Sequence, residues 1–355
     1  MLPTLFRADL DGLSRRDFLK LTGFGLAALF SIPQFAPVQS SPSSPGLDLP
    51  CQGRVLLTQI NSFEKPSFTA RVVQVLKKDE AYPIISATYS DEDRAHNHTW
   101  YQLQGGAYAH SAGLQPMQIH LNPVEAPALP KGQPAEVTVP FTDAVWNVQP
   151  AGALAYRLYY GAVFWVDRTL TDGEGRSWYR IADEGQGPIY YYARAEHLHL
   201  VTADEVSPIS PEIPASQKRI EVRLIDQIVI AYENGVPVMM TRTATGAKFS
   251  QKDLSTPVGR YFTNYKFPSV HMVHADNLEE NAYDLPGVPW VSFLTTTGVA
   301  FHGTYWHNDY GLPRSHGCIN LNLSAARWLY RWSNPSVPQQ ERTWLTSTGT
   351  IVDVS

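Results

Sequence analysis

Short stretches in which apolar and polar residues alternate make up much of the chain after residue 50. Residues 98–103, 219–225 and 228–233 follow this pattern. Because successive side chains of a strand point to opposite faces, each stretch predicts a half-buried strand. Asn234 and Gly235 form a strong hairpin signal, which predicts a return strand over residues 236–242.

One segment near the end of the chain has helical spacing instead. Its apolar residues follow the i, i+3, i+4, i+7 pattern that places side chains on one helix face: Ala325, Trp328, Leu329 and Trp332. Ser324 is the expected N-cap. The pattern therefore predicts a mainly β protein with one short helix in its C-terminal part.

Two segments, 54–125 and 135–203, repeat one another loosely. A Trp-Tyr pair occurs at residues 100–101 and again at 178–179, which predicts two copies of one small β domain. The order of strand, Trp-Tyr pair, Gly and Tyr resembles bacterial SH3-like domains and implies two small β-barrels. Core packing is favoured over a ligand-binding groove for the four aromatic residues of these pairs, Trp100, Tyr101, Trp178 and Tyr179.

The first 53 residues predict export. Arg15 and Arg16 precede an apolar run over residues 21–32, an arrangement that resembles a twin-arginine signal peptide, here assigned to residues 1–36. An amphipathic N-terminal helix is the alternative. The run is too short to predict a spanning helix, so membrane contact is expected only through an uncleaved signal peptide. A Ser/Pro-rich linker is predicted over residues 37–53.

Composition narrows the classes of function. The chain is 43% hydrophobic and 17% charged, which predicts a folded protein. Its formal net charge is −5 and no basic cluster is present, so nucleic acid is not expected as a partner. Its two cysteines lie in different settings, Cys51 in the linker and Cys318 in a dense polar motif, and no disulfide between them is expected.

The stretch 302–318 concentrates reactive residue types: His302, His307, His316 and Cys318. An imidazole can raise the thiolate fraction of a nearby thiol or take its proton during attack. Gly317 lets the backbone approach a substrate carbonyl, and consecutive amides there could bind an oxyanion. The residues alone leave three interpretations open: a Cys–His acyl transferase, a metal site built from the same four side chains, or a structural cluster. The spacing fits no zinc signature.

A family resemblance favours the first interpretation. His302-Gly303, a spacer, and then Ser-His-Gly-Cys-Ile-Asn at residues 315–320 are similar to the signature of the L,D-transpeptidases. Residues 256–261 (Thr-Pro-Val-Gly-Arg-Tyr) resemble the strand entry of the same family. The resemblance covers residues 217–354 and implies a β-sandwich-like catalytic domain. The stretch 305–314 is variable in the family and carries no assigned role.

The resemblance also implies roles for the site residues. Cys318 would be the nucleophile and His302 the general base, with the Gly303 carbonyl orienting His302. The amide of Gly317, together with that of Cys318, would form the oxyanion hole. The two remaining motif residues, Ser315 and His316, would shape the site. No cofactor and no metal are implied.

The implied substrates are peptidoglycan stem peptides in the cell envelope or extracellular cell wall. Cys318 would attack the carbonyl of the third stem residue, release terminal D-alanine, and pass the acyl group to a neighbouring stem as a 3→3 cross-link. An L,D-carboxypeptidase and a catalytically silent wall-binding protein are the alternatives. The two N-terminal β domains are expected to position the enzyme on its polymer without joining the chemistry.

Overall fold

The computed structural model describes residues 49–90, 96–149, 152–183, 189–249, 252–274 and 283–355. The predicted signal peptide lies outside the described residues. One boundary of the predicted linker is wrong: the first strand begins at Cys51, whose side chain is buried. Its neighbours in sequence are polar or Gly, which hid the strand from pattern analysis.

The first part of the chain folds into an antiparallel sheet of seven strands. They are β1 (Cys51–Val55), β2 (Gln59–Phe63), β3 (Val72–Lys77), β4 (Ala81–Tyr89), β5 (Thr99–Leu103), β6 (Tyr108–His110) and β7 (Leu114–Met117). Their order in the sheet is β3-β2-β6-β5-β4-β1-β7. We call this the first sheet.

A second antiparallel sheet, also of seven strands, follows. Its strands are β8 (Gln133–Val137), β9 (Phe141–Val145), β10 (Leu154–Tyr159), β11 (Val163–Thr171), β12 (Ser177–Asp183), β13 (Ile189–Arg194) and β14 (Leu198–Leu200). The order β10-β9-β13-β12-β11-β8-β14 reproduces that of the first sheet. The two Trp-Tyr pairs lie in the equivalent strands β5 and β12.

Neither sheet closes within the described part of the chain, since β3 and β10 remain edge strands opposite β7 and β14. The predicted SH3-like barrels are therefore not confirmed. All four aromatic residues of the Trp-Tyr pairs are buried. Their burial supports the core-packing interpretation over an open aromatic groove.

The C-terminal part contains ten strands and, among the described residues, the one α-helix. The strands are β15 (Lys218–Arg223), β16 (Ile228–Glu233), β17 (Val236–Arg242), β18 (Gly259–Phe262), β19 (Tyr265–His274), β20 (Tyr283–Phe293), β21 (Ala300–Gly303), β22 (Ile319–Leu321), β23 (Trp344–Leu345) and β24 (Ile351–Val354); the helix is α1 (Leu323–Trp332). The two sheets have the orders β17-β16-β15-β24-β18 and β22-β21-β20-β19-β23. Apolar side chains of both sheets and of α1 form a single core.

Of two local predictions for this part of the chain, the structure confirms the hairpin turn and corrects the N-cap of the helix. The hairpin between β16 and β17 is confirmed, with φ of 52° at Asn234 and 79° at Gly235, as its two-residue turn requires. The predicted cap of α1 is wrong by two residues. Asn322 accepts the backbone N–H of Ala325 at 2.9 Å, and the Ser324 hydroxyl donates to Asn322 Oδ1 at 2.8 Å.

Two buried lysines hold the C-terminal end of α1. Lys266 Nζ donates to the carbonyls of Ser333 and Pro335, each at 2.8 Å, and to that of Tyr330. Lys218 Nζ donates to the Trp332 carbonyl at 2.9 Å. Burial, with the charge of Lys218 adding to it, holds the pKa of Lys266 well below its ordinary value. The two amines satisfy carbonyls that have no partner within the helix.

The second sheet shares cores with the C-terminal part. Val163 and Val201 belong to the core of the two C-terminal sheets, and Tyr305 belongs to the core of the second sheet. Residue 161 of the second sheet's last turn before β11 packs against the start of α1 and requires glycine. Its φ is +78°, and a Cβ there would lie 2.1 Å from Leu323 Cδ1. These parts of the chain are therefore packed as one folded unit.

An ion-pair cluster crosses the same interface. His271 of β19 lies between Asp183 of β12, with Nδ1 2.7 Å from Oδ2, and Asp284 of β20, with Nε2 2.5 Å from Oδ1. Burial lowers the pKa of His271, but the two carboxylates outweigh burial and leave it raised. The imidazolium form therefore bridges the second sheet and the C-terminal part.

This bridge predicts pH-dependent stability. A raised pKa in the folded state means that the stabilisation is complete below the unfolded value of about 6.5 and is lost as pH rises through the folded pKa. The difference in thermal unfolding midpoint between wild type and His271→Gln should be largest near pH 6 and shrink by pH 9. His110→Gln, whose ring contacts the Asn97 carbonyl rather than a carboxylate, is the control. A pH-independent difference for His271→Gln would contradict the charged bridge.

Candidate active site

His302 and Cys318 lie on neighbouring parallel strands. His302 belongs to β21, and Cys318 is the residue immediately before β22. In the register of the pair, His302 faces Asn320. Because alternate residues of an extended strand share a face, Cys318 and Asn320 lie on the same side as His302. The fold therefore brings the predicted base and nucleophile together as diagonal neighbours.

The His302 ring is buried and held in one tautomer. Its Nδ1 donates to the Gly303 carbonyl at 3.1 Å, which leaves Nε2 of the neutral ring free of a proton. Burial lowers the pKa of His302 to about 4 and outweighs the opposing effect of the Gly303 contact. At neutral pH the ring is thus a neutral proton acceptor.

The Cys318 thiol is neutral as well. Its side chain packs against Val288, Val291 and Ala300, and Sγ donates to the Gly298 carbonyl at 3.5 Å. This burial raises the pKa of Cys318 to about 11, although the backbone N–H of Ala300 opposes the shift. Of the two ways an imidazole can activate a thiol, the structure favours proton transfer during attack over a preformed thiolate.

The turn before Cys318 is fixed by three hydrogen bonds. Ser315 Oγ donates to the Cys318 carbonyl at 2.5 Å and accepts from the Gly317 amide at 3.2 Å. Thr256 Oγ1 donates to the Gly317 carbonyl at 2.8 Å. Gly317 has a φ of +117°, a conformation that favours glycine.

This geometry changes one sequence expectation. The Gly317 amide, predicted as an oxyanion donor, is already bonded to Ser315, so in this conformation it does not point at a substrate. The 256–261 motif does not predict that Thr256 holds the turn before Cys318, because the sequence does not show which carbonyl the Thr256 hydroxyl reaches.

His316 lies in an aromatic wall beside the nucleophile. Its ring stacks on Phe249, with centroids 5.1 Å apart, and lies 5.4 Å from the ring of Tyr283. Burial raises the pKa of Tyr283, and Cys318, when ionised, adds to this shift. The wall can shape a substrate channel.

The resemblance assigns no role to the segment between the two motifs, but this segment contains His307, a candidate only under the metal interpretation, and Asp309. His307 Nε2 lies 2.9 Å from Asn320 Nδ2, and burial lowers the pKa of His307 to about 3, with the charge of Arg314 adding to the effect. Asp309 is also buried and pairs with His96 at 2.7 Å and with Arg314 at 2.9 Å. His96 and Asp309 are 213 positions apart, so no local pattern in the sequence predicts their contact.

Two cavities lie at the interfaces between the sheets. The larger, about 480 Å³, is lined by both N-terminal sheets and by Thr304 and His307, next to the base. The smaller, about 290 Å³, lies between the second sheet and β19 and includes His271. Cys318 lines neither of these two cavities.

No group of three or more His, Cys, Asp or Glu side chains in the described ranges is placed to hold a metal ion. Within the same ranges, no helix has the length and apolar character needed to cross a bilayer.

Comparison with solved structures gives remote likenesses. A mutant of the Enterococcus faecium L,D-transpeptidase is 24% identical over 39% of this chain and 50% of that chain, with a TM-score of 0.31. The isolated catalytic domain from E. faecium is 24% identical over 39% of this chain and 96% of that chain, with a TM-score of 0.30. An L,D-transpeptidase from Mycobacterium smegmatis is 14% identical over 67% of this chain and 100% of that chain, with a TM-score of 0.32. The chain thus spans about half the length of the first of these proteins.

Comparison with known families is more specific. No curated protein matches the chain. The YkuD family model, described as an L,D-transpeptidase catalytic domain, matches residues 217–354. These residues contain β21, β22, the 315–320 motif and the 256–261 motif. Residues 217–354 therefore form an L,D-transpeptidase catalytic domain of the YkuD type.

Proposed function

We propose that the protein is a peptidoglycan L,D-transpeptidase that forms 3→3 cross-links through a Cys318 thioester. The observation that supports the proposal is the parallel pairing of β21 with β22, in which His302 faces Asn320, two residues after Cys318, while His302 Nδ1 contacts the Gly303 carbonyl. This arrangement leaves Nε2 as the proton acceptor that a neutral thiol requires.

Acylation follows from this geometry. Cys318 Sγ turns from the Gly298 carbonyl and attacks the carbonyl carbon of the third stem residue, while its proton passes to His302 Nε2. The carbon–nitrogen bond to terminal D-alanine then breaks, and His302 returns the proton to the leaving amine. The products of this step are free D-alanine and a thioester on Cys318.

Deacylation uses the same base. The side-chain amine of a neighbouring stem attacks the thioester carbonyl and loses a proton to His302. The carbon–sulfur bond breaks, and His302 reprotonates the sulfur. The backbone N–H of Cys318 is the proposed donor to the oxyanion of both steps, and the Gly317 amide joins it only if its bond to Ser315 opens.

Mass spectrometry of muropeptides tests this function. With tetrapeptide stems, the purified protein should release D-alanine and produce dimers that contain one D-alanine fewer than the two stems, while Cys318→Ala should produce neither. Tripeptides without dimers would identify an L,D-carboxypeptidase, in which water replaces the amine. Wall binding with no acyl-enzyme and no product would identify a silent binding protein.

Export by the twin-arginine route completes the proposal. The paired Arg15 and Arg16 ahead of an apolar run support it. An enzyme acting on stem peptides belongs in the cell envelope or the extracellular cell wall.

A further inference from the structure

A buried arginine of the first sheet reaches the loop that follows the catalytic base. Arg54 is 2% exposed, and its Nη2 donates to the Tyr305 carbonyl at 2.6 Å and to Gln115 Oε1 at 2.6 Å. Its Nη1 lies 3.4 Å from Asp79 Oδ1, and its guanidinium lies 4.3 Å from the ring centre of Tyr159. A buried guanidinium is costly unless its donors are paired, so this geometry is strongly preferred.

The contact continues from Tyr305 to the base. The Tyr305 ring stacks on Tyr159, with centroids 6.0 Å apart, and its hydroxyl donates to the Pro286 carbonyl at 2.7 Å. The next residue, Trp306, lies with its ring centre 5.7 Å from that of His302. A shift of the backbone at Tyr305 therefore moves the ring that packs on the base.

A second anchor holds the same loop from the first sheet. Asn308 Nδ2 donates to the carbonyls of Ser111 and Leu114, at 3.1 and 3.0 Å. Its neighbour His307 contacts Asn320, two residues beyond Cys318. The loop thus touches the base at one end and the strand of the nucleophile at the other.

The segment from residue 304 to 314 has no strand or helix of its own. An unanchored loop of this kind samples many conformations, and fixing each residue costs about 1–2 kcal/mol. Misplacement of reacting groups by about 1 Å can cost about 10²-fold in rate. The anchors that reduce this freedom come from residues about 200 or more positions earlier in the chain.

We propose that the first sheet, through Arg54 and through the carbonyls that hold Asn308, positions the loop that aligns His302 with Cys318. The first sheet is then part of the catalytic unit and not only a means of placing the enzyme on its polymer. The inference rests on the proposed function for its kinetic consequence, but its effect on the thiol can be measured separately.

The test is Arg54→Met in the full chain, with Arg71→Met as the matched control. Arg71 is the exposed residue immediately before β3 of the same sheet and pairs with Glu64. Arg54→Met should lower kcat by about 10- to 100-fold with KM within about twofold, because the base is misaligned and not the substrate surface. Arg54→Lys should recover part of the loss, and Arg71→Met should behave as wild type.

The second readout is alkylation of Cys318 by iodoacetamide, mapped by peptide mass spectrometry so that Cys51 is counted apart. At pH 7, where reaction depends on His302, Arg54→Met should react about tenfold more slowly than wild type. Near pH 11 the thiol ionises without help, and the two rates should converge. This convergence separates misalignment of the base from blocked access to the sulfur.

The outcomes are distinguishable. A folded Arg54→Met protein with wild-type kcat and wild-type alkylation overturns the inference. If Arg54→Met does not fold, Asn308→Ala decides: the same losses support the inference, and wild-type behaviour overturns it. If wild type makes no cross-links but the alkylation difference is present, the proposed function fails and the positioning role stands.

Discussion

Cys318→Ala is expected to have no measurable transpeptidase activity while keeping the wild-type fold. The sulfur is the only atom proposed to bond the acyl group, so nothing replaces it when it is removed. Its carbonyl and the turn around it are held by backbone and Ser315 contacts that do not involve the sulfur. Muropeptide analysis and circular dichroism of the variant measure the two halves of this expectation.

His302→Ala should lower the rate of acylation by about 10²–10⁴-fold, the usual cost of a lost general base. With a pKa of about 4 in the folded protein, His302 is neutral across the physiological range. Protonation occupies Nε2 and removes the acceptor, so activity should stay flat through neutral pH and fall only as pH approaches 4. A rate that falls around pH 6.5 instead would contradict the burial of the base.

The metal hypothesis makes a different forecast for the same site. If His302, His307, His316 and Cys318 held zinc, a strong chelator would remove activity and added zinc would restore it. A thiol mechanism predicts that the chelator has no effect and that iodoacetamide inactivates the protein through Cys318. Activity that a chelator removes and added zinc restores would therefore contradict the cysteine mechanism.

Removal of residues 1–215 is expected to have the second large effect, a loss of both stable folding and acylation. If the two N-terminal domains took no part in the chemistry, as the sequence predicts, a chain beginning near Ser216 would still acylate, but the shared cores argue against this. Without the second sheet, Tyr305 loses the core in which it is buried, and Val163 and Val201 are missing from the core of the C-terminal sheets. Each such large apolar group contributes about 1.5–3 kcal/mol, and several together approach the stability of a domain.

The truncated protein is thus expected to be insoluble or to lack a cooperative thermal transition, and to acylate at least about 10²-fold more slowly. Removal of residues 1–48 is the control, since it keeps every strand of the described fold and should leave folding and acylation intact. Solubility, thermal unfolding and acylation of Cys318 by a tetrapeptide stem measure the outcome. A soluble 216–355 chain with wild-type acylation would show that the catalytic domain is autonomous.

The predictable features are those with local causes. The Asn234-Gly235 turn needs two left-handed residues and is marked by them, and α1 is marked by its apolar spacing. The 302–303 and 315–320 motifs, through their family resemblance, predicted the catalytic domain, and the Trp-Tyr repeat predicted two copies of one β unit, which have equal strand order. For the turn and the helix, neighbours in sequence supply the physical reason for the structure.

The unpredicted features depend on partners that are distant in sequence. Arg54 and Tyr305 are 251 positions apart, and Asn308 contacts carbonyls nearly 200 positions earlier. A hydrogen bond between a side chain and a remote carbonyl leaves no pattern in either segment. The bond that occupies the Gly317 amide is local, and it is hidden for a different reason: the Ser315 hydroxyl can satisfy several nearby groups.

The contact between Arg54 and Tyr305 also bears on the order in which the protein is made. Ribosomes synthesise the chain from its N-terminus, and domains generally fold as units as they emerge. Both N-terminal sheets are complete by Leu200, about 100 residues before His302 is added. The surface that receives the 304–314 loop can therefore exist before the loop is synthesised, and the active site is assembled last against a template that is already folded.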